Sequence, residues 1–253
     1  MNTSRIPFVA GNWKMNLTPS EAIRYLDEFA VLLPTDHAYE VALFPSYLVV
    51  PFVIGNLLKR RDIHVGAQNL SDRESGAFTG EVSAPMLTDA GCRYVLIGHS
   101  ERRKIYGETD ELLAKKLSMA LQHKLSVVYC IGETLAEREA NQTFDVIDQQ
   151  LKNLIALPHE SRPNITIAYE PVWAIGTGLN ATPAQAQEVH HVIRTTMSDH
   201  WNDTGKNMRI LYGGSVTPAN AKELFACPDV DGGLVGGASL KPDSFYNICR
   251  AAE

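Results

Sequence analysis

Four polar residues stand where short apolar runs end, and their types suit one kind of chemistry. Glu170 follows the run Ile165–Tyr169 and precedes Pro171. A carboxylate there is either a solvated or capping group, as most are, or a general base. At a closing, partly dry mouth a carboxylate can have its pKa raised toward neutrality, which suits removal of a carbon-bound proton. His99 follows Tyr94–Gly98. Taken alone, such a histidine is more often structural. As a partner of Glu170 it is an electrophile that hydrogen-bonds a substrate carbonyl. Lys14, in other settings a surface lysine, lies just past Phe8–Asn12 and beside Asn12. There it can hold an anion and stabilise developing negative charge.

Two glycine pairs add a second theme. Gly213-Gly214-Ser215 and Gly236-Gly237 let backbone N–H groups approach an anion closely. Many such pairs are only turns. The segment after Gly237 is expected to start a helix, whose N-terminus favours a phosphate. No G-x-x-x-x-G-K-[ST] is present, and Gly176-Thr177-Gly178 lacks the third glycine of a dinucleotide fingerprint. Gly98-His99-Ser100-Glu101-Arg102 lacks the second glycine of a nucleophile elbow, so Ser100 is not read as a nucleophile. Pro171 to Ala181, PVWAIGTGLNA, reads either as a buried loop or as a lid with an apolar tip, Trp173 and Ile175 shutting out water.

These residues need a frame that gathers them. Apolar runs recur at Phe8–Asn12, Val41–Phe44, Ile63–Gln68, Tyr94–Gly98, Val127–Ile131, Ile165–Tyr169, Met208–Tyr212 and Gly233–Val235. Most are continuously apolar, as parallel strands covered on both faces should be. Longer amphipathic segments separate them. Thr18-Pro19-Ser20-Glu21 and Thr182-Pro183-Ala184-Gln185 are capping boxes with proline at the first helical position, and Thr217-Pro218 repeats the first half. Eight strand–helix repeats predict an α/β protein, a closed (β/α)8 barrel, with a doubly wound open sheet as the alternative. No linker or low-complexity tract interrupts the chain, so one barrel domain over 1–253 is expected. In such a barrel the polar strand ends gather at one mouth. The longest gap without helix signals is Asn69–Pro85, and long ordered loops are usually functional.

Composition narrows the classes. The net charge is −6, from 29 acidic and 23 basic residues, which is not the footprint of a nucleic-acid binder. Val41 to Leu58 is almost wholly apolar, but Pro45, Pro51 and Gly55 argue against a membrane-spanning helix. Cys92, Cys130, Cys227 and Cys249 form no CxxC pair, so neither zinc nor a disulfide framework is signalled. Reduced thiols and an N-terminus without a signal peptide point to the cytoplasm. A Schiff-base aldolase needs a strand lysine near the mouth, and Ile165–Tyr169 has none. His99 and Glu170 alone are too few ligands for a metal-dependent barrel.

Taken together, Gly11-Asn12-Trp13-Lys14, Ile97 to Arg102, Tyr169 to Gly178, Tyr212 to Val216 and Leu234 to Leu240 closely resemble the triosephosphate isomerase family, from the first strand to the last. The resemblance implies a reaction interconverting dihydroxyacetone phosphate and glyceraldehyde 3-phosphate in glycolysis and gluconeogenesis, without cofactor or metal. It implies Glu170 as the base, neutral His99 and Lys14 as stabilisers of an enediolate, and Asn12 as their assistant. Ser215 and the backbone at Gly176, Gly236 and Gly237 would hold the phosphate. Glu101 would support Lys14, and Ser100 would be a resting contact for Glu170. It also implies a homodimer in which Asn69–Pro85 reaches the neighbour, placing Thr79 near the neighbouring Asn12 and Glu101. One departure is Leu179, where the family's lid hinge often carries lysine. The alternative is a non-catalytic phosphate-binding or scaffold barrel.

Overall fold

In a computed structural model of the chain, residues 5–175 and 181–253 are described. The strands are β1 Phe8–Asn12, β2 Glu40–Phe44, β3 Ile63–Ala67, β4 Tyr94–Ile97, β5 Ser126–Ile131, β6 Ile165–Tyr169, β7 Arg209–Tyr212 and β8 Gly232–Val235. They run parallel in sequence order and close, β8 pairing with β1. The open-sheet alternative is therefore excluded. The helices are α1 Pro19–Leu32, α2 Val50–Asn56, α3 Ala84–Asp89, α4 Ser100–Tyr106, α5 Asp110–Gln122, α6 Leu135–Glu139, α7 Thr143–Ile155, α8 Pro183–Trp201, α9 Asp203–Asn207, α10 Ala221–Phe225 and α11 Pro242–Arg250. Among the described residues no helix is long and apolar enough to cross a membrane.

Side chains alternate across each strand, and the barrel sorts them into two cores. Phe8, Ala10, Phe44, Tyr94, Leu96, Val128, Cys130, Ala168, Leu211 and Leu234 form one buried cluster, the barrel's interior. Val9, Val41, Leu43, Val95, Ile97, Val127, Ile167 and Ile210 belong to a second, shared with the inner faces of the helices. With both faces covered, the strands read as continuous apolar runs. Each strand boundary falls within one residue of the sequence expectation. β4 ends at Ile97 rather than Gly98 because Gly98 turns to φ +78°, outside extended conformation.

The capping boxes at Thr18–Glu21 and Thr182–Gln185 form as expected. Thr217-Pro218 does not open a helix. The Thr217 N–H donates to Asn220 Oδ1 at 2.8 Å, and Asn220 Nδ2 donates to the Ser215 carbonyl at 3.0 Å. Asn220 thus closes a turn on itself, and α10 begins only at Ala221. After Gly237 the chain makes a single 3-10 turn, Gly237–Leu240, before α11.

The closing seam has little slack. Gly232, opposite Phe8, has φ +124°, and a Cβ there would stand 2.0 Å from the Phe8 carbonyl oxygen. Below it, Arg194 of α8 bridges Asp229 at 2.8 Å and Asp231 at 2.6 Å, tying the helical layer to the start of β8. We predict that Gly232→Ala sharply lowers the thermal midpoint or prevents folding. Gly55→Ala, whose Cβ would meet nothing within 4 Å, should leave it unchanged or raise stability by about 0.5–1 kcal/mol. Circular-dichroism melts of the two variants check the contrast.

Candidate active site

The C-terminal ends of the strands open into a cavity of about 430 Å³ lined by Asn12, Lys14, His99, Glu170, Ser215, Gly236 and Gly237, among others. A larger cavity of about 840 Å³ lies at the opposite end, around Arg5, Arg194 and Asp229–Gly232, where the charges are already paired. The mouth cavity is the one that gathers the residues singled out from the sequence.

Asn12 ends β1, and its Oδ1 accepts from the Lys14 N–H at 3.0 Å. The Lys14 carbonyl accepts from Gln68 Nε2 at 2.8 Å. Between these anchors Lys14 takes φ +53°, a left-handed conformation costly for a side-chain-bearing residue. Its ammonium meets Glu101 Oε1 at 2.5 Å. The Glu101 carboxylate thus lies against the Lys14 ammonium.

His99 caps the N-terminus of α4. Its Nδ1 accepts from the Glu101 N–H at 3.3 Å, which assigns the ring proton of the neutral imidazole to Nε2. Nε2 stands 3.0 Å from Glu170 Oε1. The other carboxylate oxygen, Glu170 Oε2, accepts from the Ser100 backbone N–H at 2.8 Å. Ser100 therefore touches Glu170 through its main chain.

The expected rise in the Glu170 pKa is corrected. Burial, with Glu170 only 2% exposed, does push its carboxyl up. The His99 charge and hydrogen bond, the Ser100 N–H and the Lys14 charge outweigh burial and hold the carboxyl below its ordinary value. Burial lowers His99, but the facing Glu170 and nearby Glu101 outweigh it and raise the imidazole above its usual value. A depressed carboxyl pKa stabilises the fold at neutral pH, and that contribution is lost as pH falls through the folded-state value.

The phosphate side is built from β7 and β8. Ser215 lines the cavity, and its carbonyl is held by Asn220. Gly236 O accepts from the Ser239 N–H at 2.8 Å and Ser239 Oγ at 2.7 Å, fixing the turn that presents Gly237. A Cβ on Gly237 would meet nothing within 4 Å, so packing does not require that glycine. Gly213 is different: a Cβ there would lie 2.8 Å from Glu170 Cγ. The lid expectation is reached in part. Gly176 and Leu179 lie outside the described residues. Val172–Ala174 form a 3-10 turn, Ile175 lines the cavity, and Trp173 Nε1 donates to Glu133 Oε1 at 2.9 Å. Thr79 is exposed on its loop.

Two contributors escaped the sequence reading. Glu133, fully buried, accepts from Tyr169 Oη at 3.0 Å as well as from Trp173, joining the end of β6 to the start of the lid. Gly132 packs flush on the Glu170 backbone. A signal existed: Gly132-Glu133 follows a strand, as the other mouth motifs do.

A buried carboxylate facing an imidazole, with a lysine and two glycine turns around the same cavity, defines a barrel equipped for acid–base chemistry on an anionic ligand. Comparison with known proteins makes this specific. The family model described as "Triosephosphate isomerase" matches residues 7–252. Curated relatives named "Triosephosphate isomerase" are 49% identical in Shewanella sediminis and 50% identical in Shewanella loihica, each over 98% of both chains. The counterpart from Shewanella amazonensis is 49% identical over the same share. The chain belongs to the triosephosphate isomerase family.

Because His99 is the main group opposing the effect of burial on Glu170, His99→Gln should raise the Glu170 pKa. A ¹³C-NMR titration of the carboxyl in the ligand-free protein checks this. The wild-type value should lie below the ordinary 4.5 and the variant value above the wild-type one.

Proposed function

We propose that the chain interconverts dihydroxyacetone phosphate and D-glyceraldehyde 3-phosphate with Glu170 as the base. The observation that carries this is the 3.0 Å contact of His99 Nε2 with Glu170 Oε1 inside the mouth cavity. A substrate carbonyl that replaces the carboxylate on Nε2 frees Glu170 to face the adjacent carbon. Glu170 removes a proton from that carbon. The electron pair moves onto the carbonyl oxygen, where the His99 N–H and the Lys14 ammonium stabilise it. Asn12 holds the Lys14 backbone in the required turn. His99 Nε2 gives its proton to that oxygen and takes the proton of the adjacent hydroxyl, so the new carbonyl forms there as Glu170 returns its proton to the former carbonyl carbon, and no electron leaves the substrate. Departure of Glu170 removes the larger of the two charges that raise the His99 pKa, while the Glu101 N–H still occupies Nδ1. The imidazole therefore works as a neutral donor.

The phosphate is assigned to Ser215 and the backbone of Gly236 and Gly237, and the family resemblance adds Gly176, which lies outside the described residues. Local groups do the attracting, because the net charge of −6 opposes an anion. Closure of the lid segment excludes water, which restrains loss of phosphate from the enediolate. The chemistry needs neither cofactor nor metal. The whole chain, 1–253, is one domain in this reading, and its compartment is the cytoplasm, whose reducing milieu suits four free cysteines.

The working unit is a homodimer. Met15, Leu48, Phe78, Met86, Ile105 and Tyr106 are exposed apolar side chains, and Met15 and Tyr106 share a cleft with Lys14 and Glu101. The loop carrying Thr79 fills that cleft from the neighbour, so its Thr79 comes near Asn12 and Glu101.

EDTA-treated protein should convert glyceraldehyde 3-phosphate rapidly in a coupled NADH assay. Glu170→Asp, which withdraws the carboxylate by one methylene, should cut kcat about a hundredfold. A folded protein without turnover removes the proposal. Sedimentation should show twice the 27.9 kDa chain mass. Phe78→Asp should weaken association and lower turnover together, so a fully active monomer would contradict the dimer.

A further inference from the structure

The backbone beside Glu170 is held by a helix residue that no strand-end motif includes. The Glu170 N–H donates to the Ile131 carbonyl at 2.7 Å, beside the last β5–β6 pair, Ile131 with Tyr169. One residue on, Gly132 lies against Glu170 so closely that a Cβ would stand 1.7 Å from its carbonyl oxygen and 2.6 Å from its carbonyl carbon. Gly132 therefore cannot shift toward β6 without pushing Glu170.

Gly132 is past the end of β5. Its N–H donates to Gln150 Oε1 at 2.8 Å, and its carbonyl accepts from Gln150 Nε2 at 3.3 Å. One side-chain amide thus engages both backbone groups, as a neighbouring strand would. Gln150 itself has a firm base. It sits on α7 one turn from Ile147 and Leu154, which are buried in the outer core. On the other side of β6, Gly213, just past the end of the adjacent β7, closes on Glu170, its N–H donating to the Tyr169 carbonyl at 2.7 Å. The base is pinched between two glycines, and only the Gly132 side is clamped by a side chain from the helical layer among the contacts described.

We propose that Gln150 is a positioning residue for Glu170: by gripping Gly132 it sets where the carboxylate stands relative to His99. The inference rests on Glu170 being the base. It gives α7, outside the barrel, a direct part in the geometry of proton transfer, while leaving the phosphate cradle on β7 and β8 untouched.

Gln150→Leu keeps the bulk and removes both hydrogen bonds. Gln150→Glu keeps an acceptor for the Gly132 N–H. Per folded molecule, judged by gel filtration and circular dichroism, Gln150→Leu should lose about tenfold or more in kcat. KM and the inhibition constant of inorganic phosphate should change less than about twofold. Gln150→Glu should recover part of the loss. In the ligand-free protein, the ¹³C-NMR titration of Glu170 should move up in Gln150→Leu, as the carboxylate leaves its His99 and Ser100 contacts. A folded Gln150→Leu with wild-type kcat overturns the proposal. So does a matching loss in phosphate binding, which would mean general distortion of the mouth. If wild-type protein shows no turnover, the assignment of the base fails. The carboxyl titration then still decides whether Gln150 places Glu170, an unmoved value overturning it.

Discussion

A charged carboxylate almost wholly removed from water is the constraint around which this mouth is organised. Left alone, Glu170 would take up a proton, because burial penalises the anion. The structure answers with the His99 imidazole on one oxygen and the Ser100 N–H on the other, both delivered by the start of α4. Those contacts keep the group ionised at rest. They are also contacts a substrate can exchange for its own, so the resting state and the reacting state draw on the same donors. Lys14 and its partner Glu101 complete the balance from β1 and α4.

The barrel makes this arrangement possible by separating tasks. Strand interiors fill the two apolar cores, and the ends of β1, β4, β6, β7 and β8, or the loops after them, carry polarity into the cavity. Residues far apart in the chain meet because parallel strands all end at the same height. The loops then differ by duty. β1 and β4 bring the cation and imidazole, β6 the carboxylate, β7 and β8 the glycine turns. β5 contributes no group lining the cavity described here, yet its end fixes the neighbour that does, through Gly132 and Glu133.

Much of this was legible in the residues, for identifiable reasons. Strands buried on both faces leave continuous apolar runs, and a polar residue that interrupts such a run is conspicuous, as Glu170 and His99 are. Capping boxes were legible where Thr18 and Thr182 act locally, and misleading at Thr217, where the Asn220 side chain also reaches back to the Ser215 carbonyl and the helix begins only at Ala221. The Glu170 ionisation was not legible, because its direction depends on a 3.0 Å contact between strands seventy residues apart. Gln150 was invisible for a related reason. A polar residue on an amphipathic helix looks solvated until the helix orientation shows that it reaches a backbone.

The backbone of Lys14 carries a further consequence. Its left-handed φ of +53° is tolerated because Asn12 and Gln68 hold it on both sides. Glycine would relax that conformation and delete the cation in the same stroke. Folding and catalysis therefore rank the twenty amino acids differently at this position. A search that selected only for thermal robustness would drift away from lysine there, so a library screened by melting point alone would enrich well-folded proteins that have lost their activity.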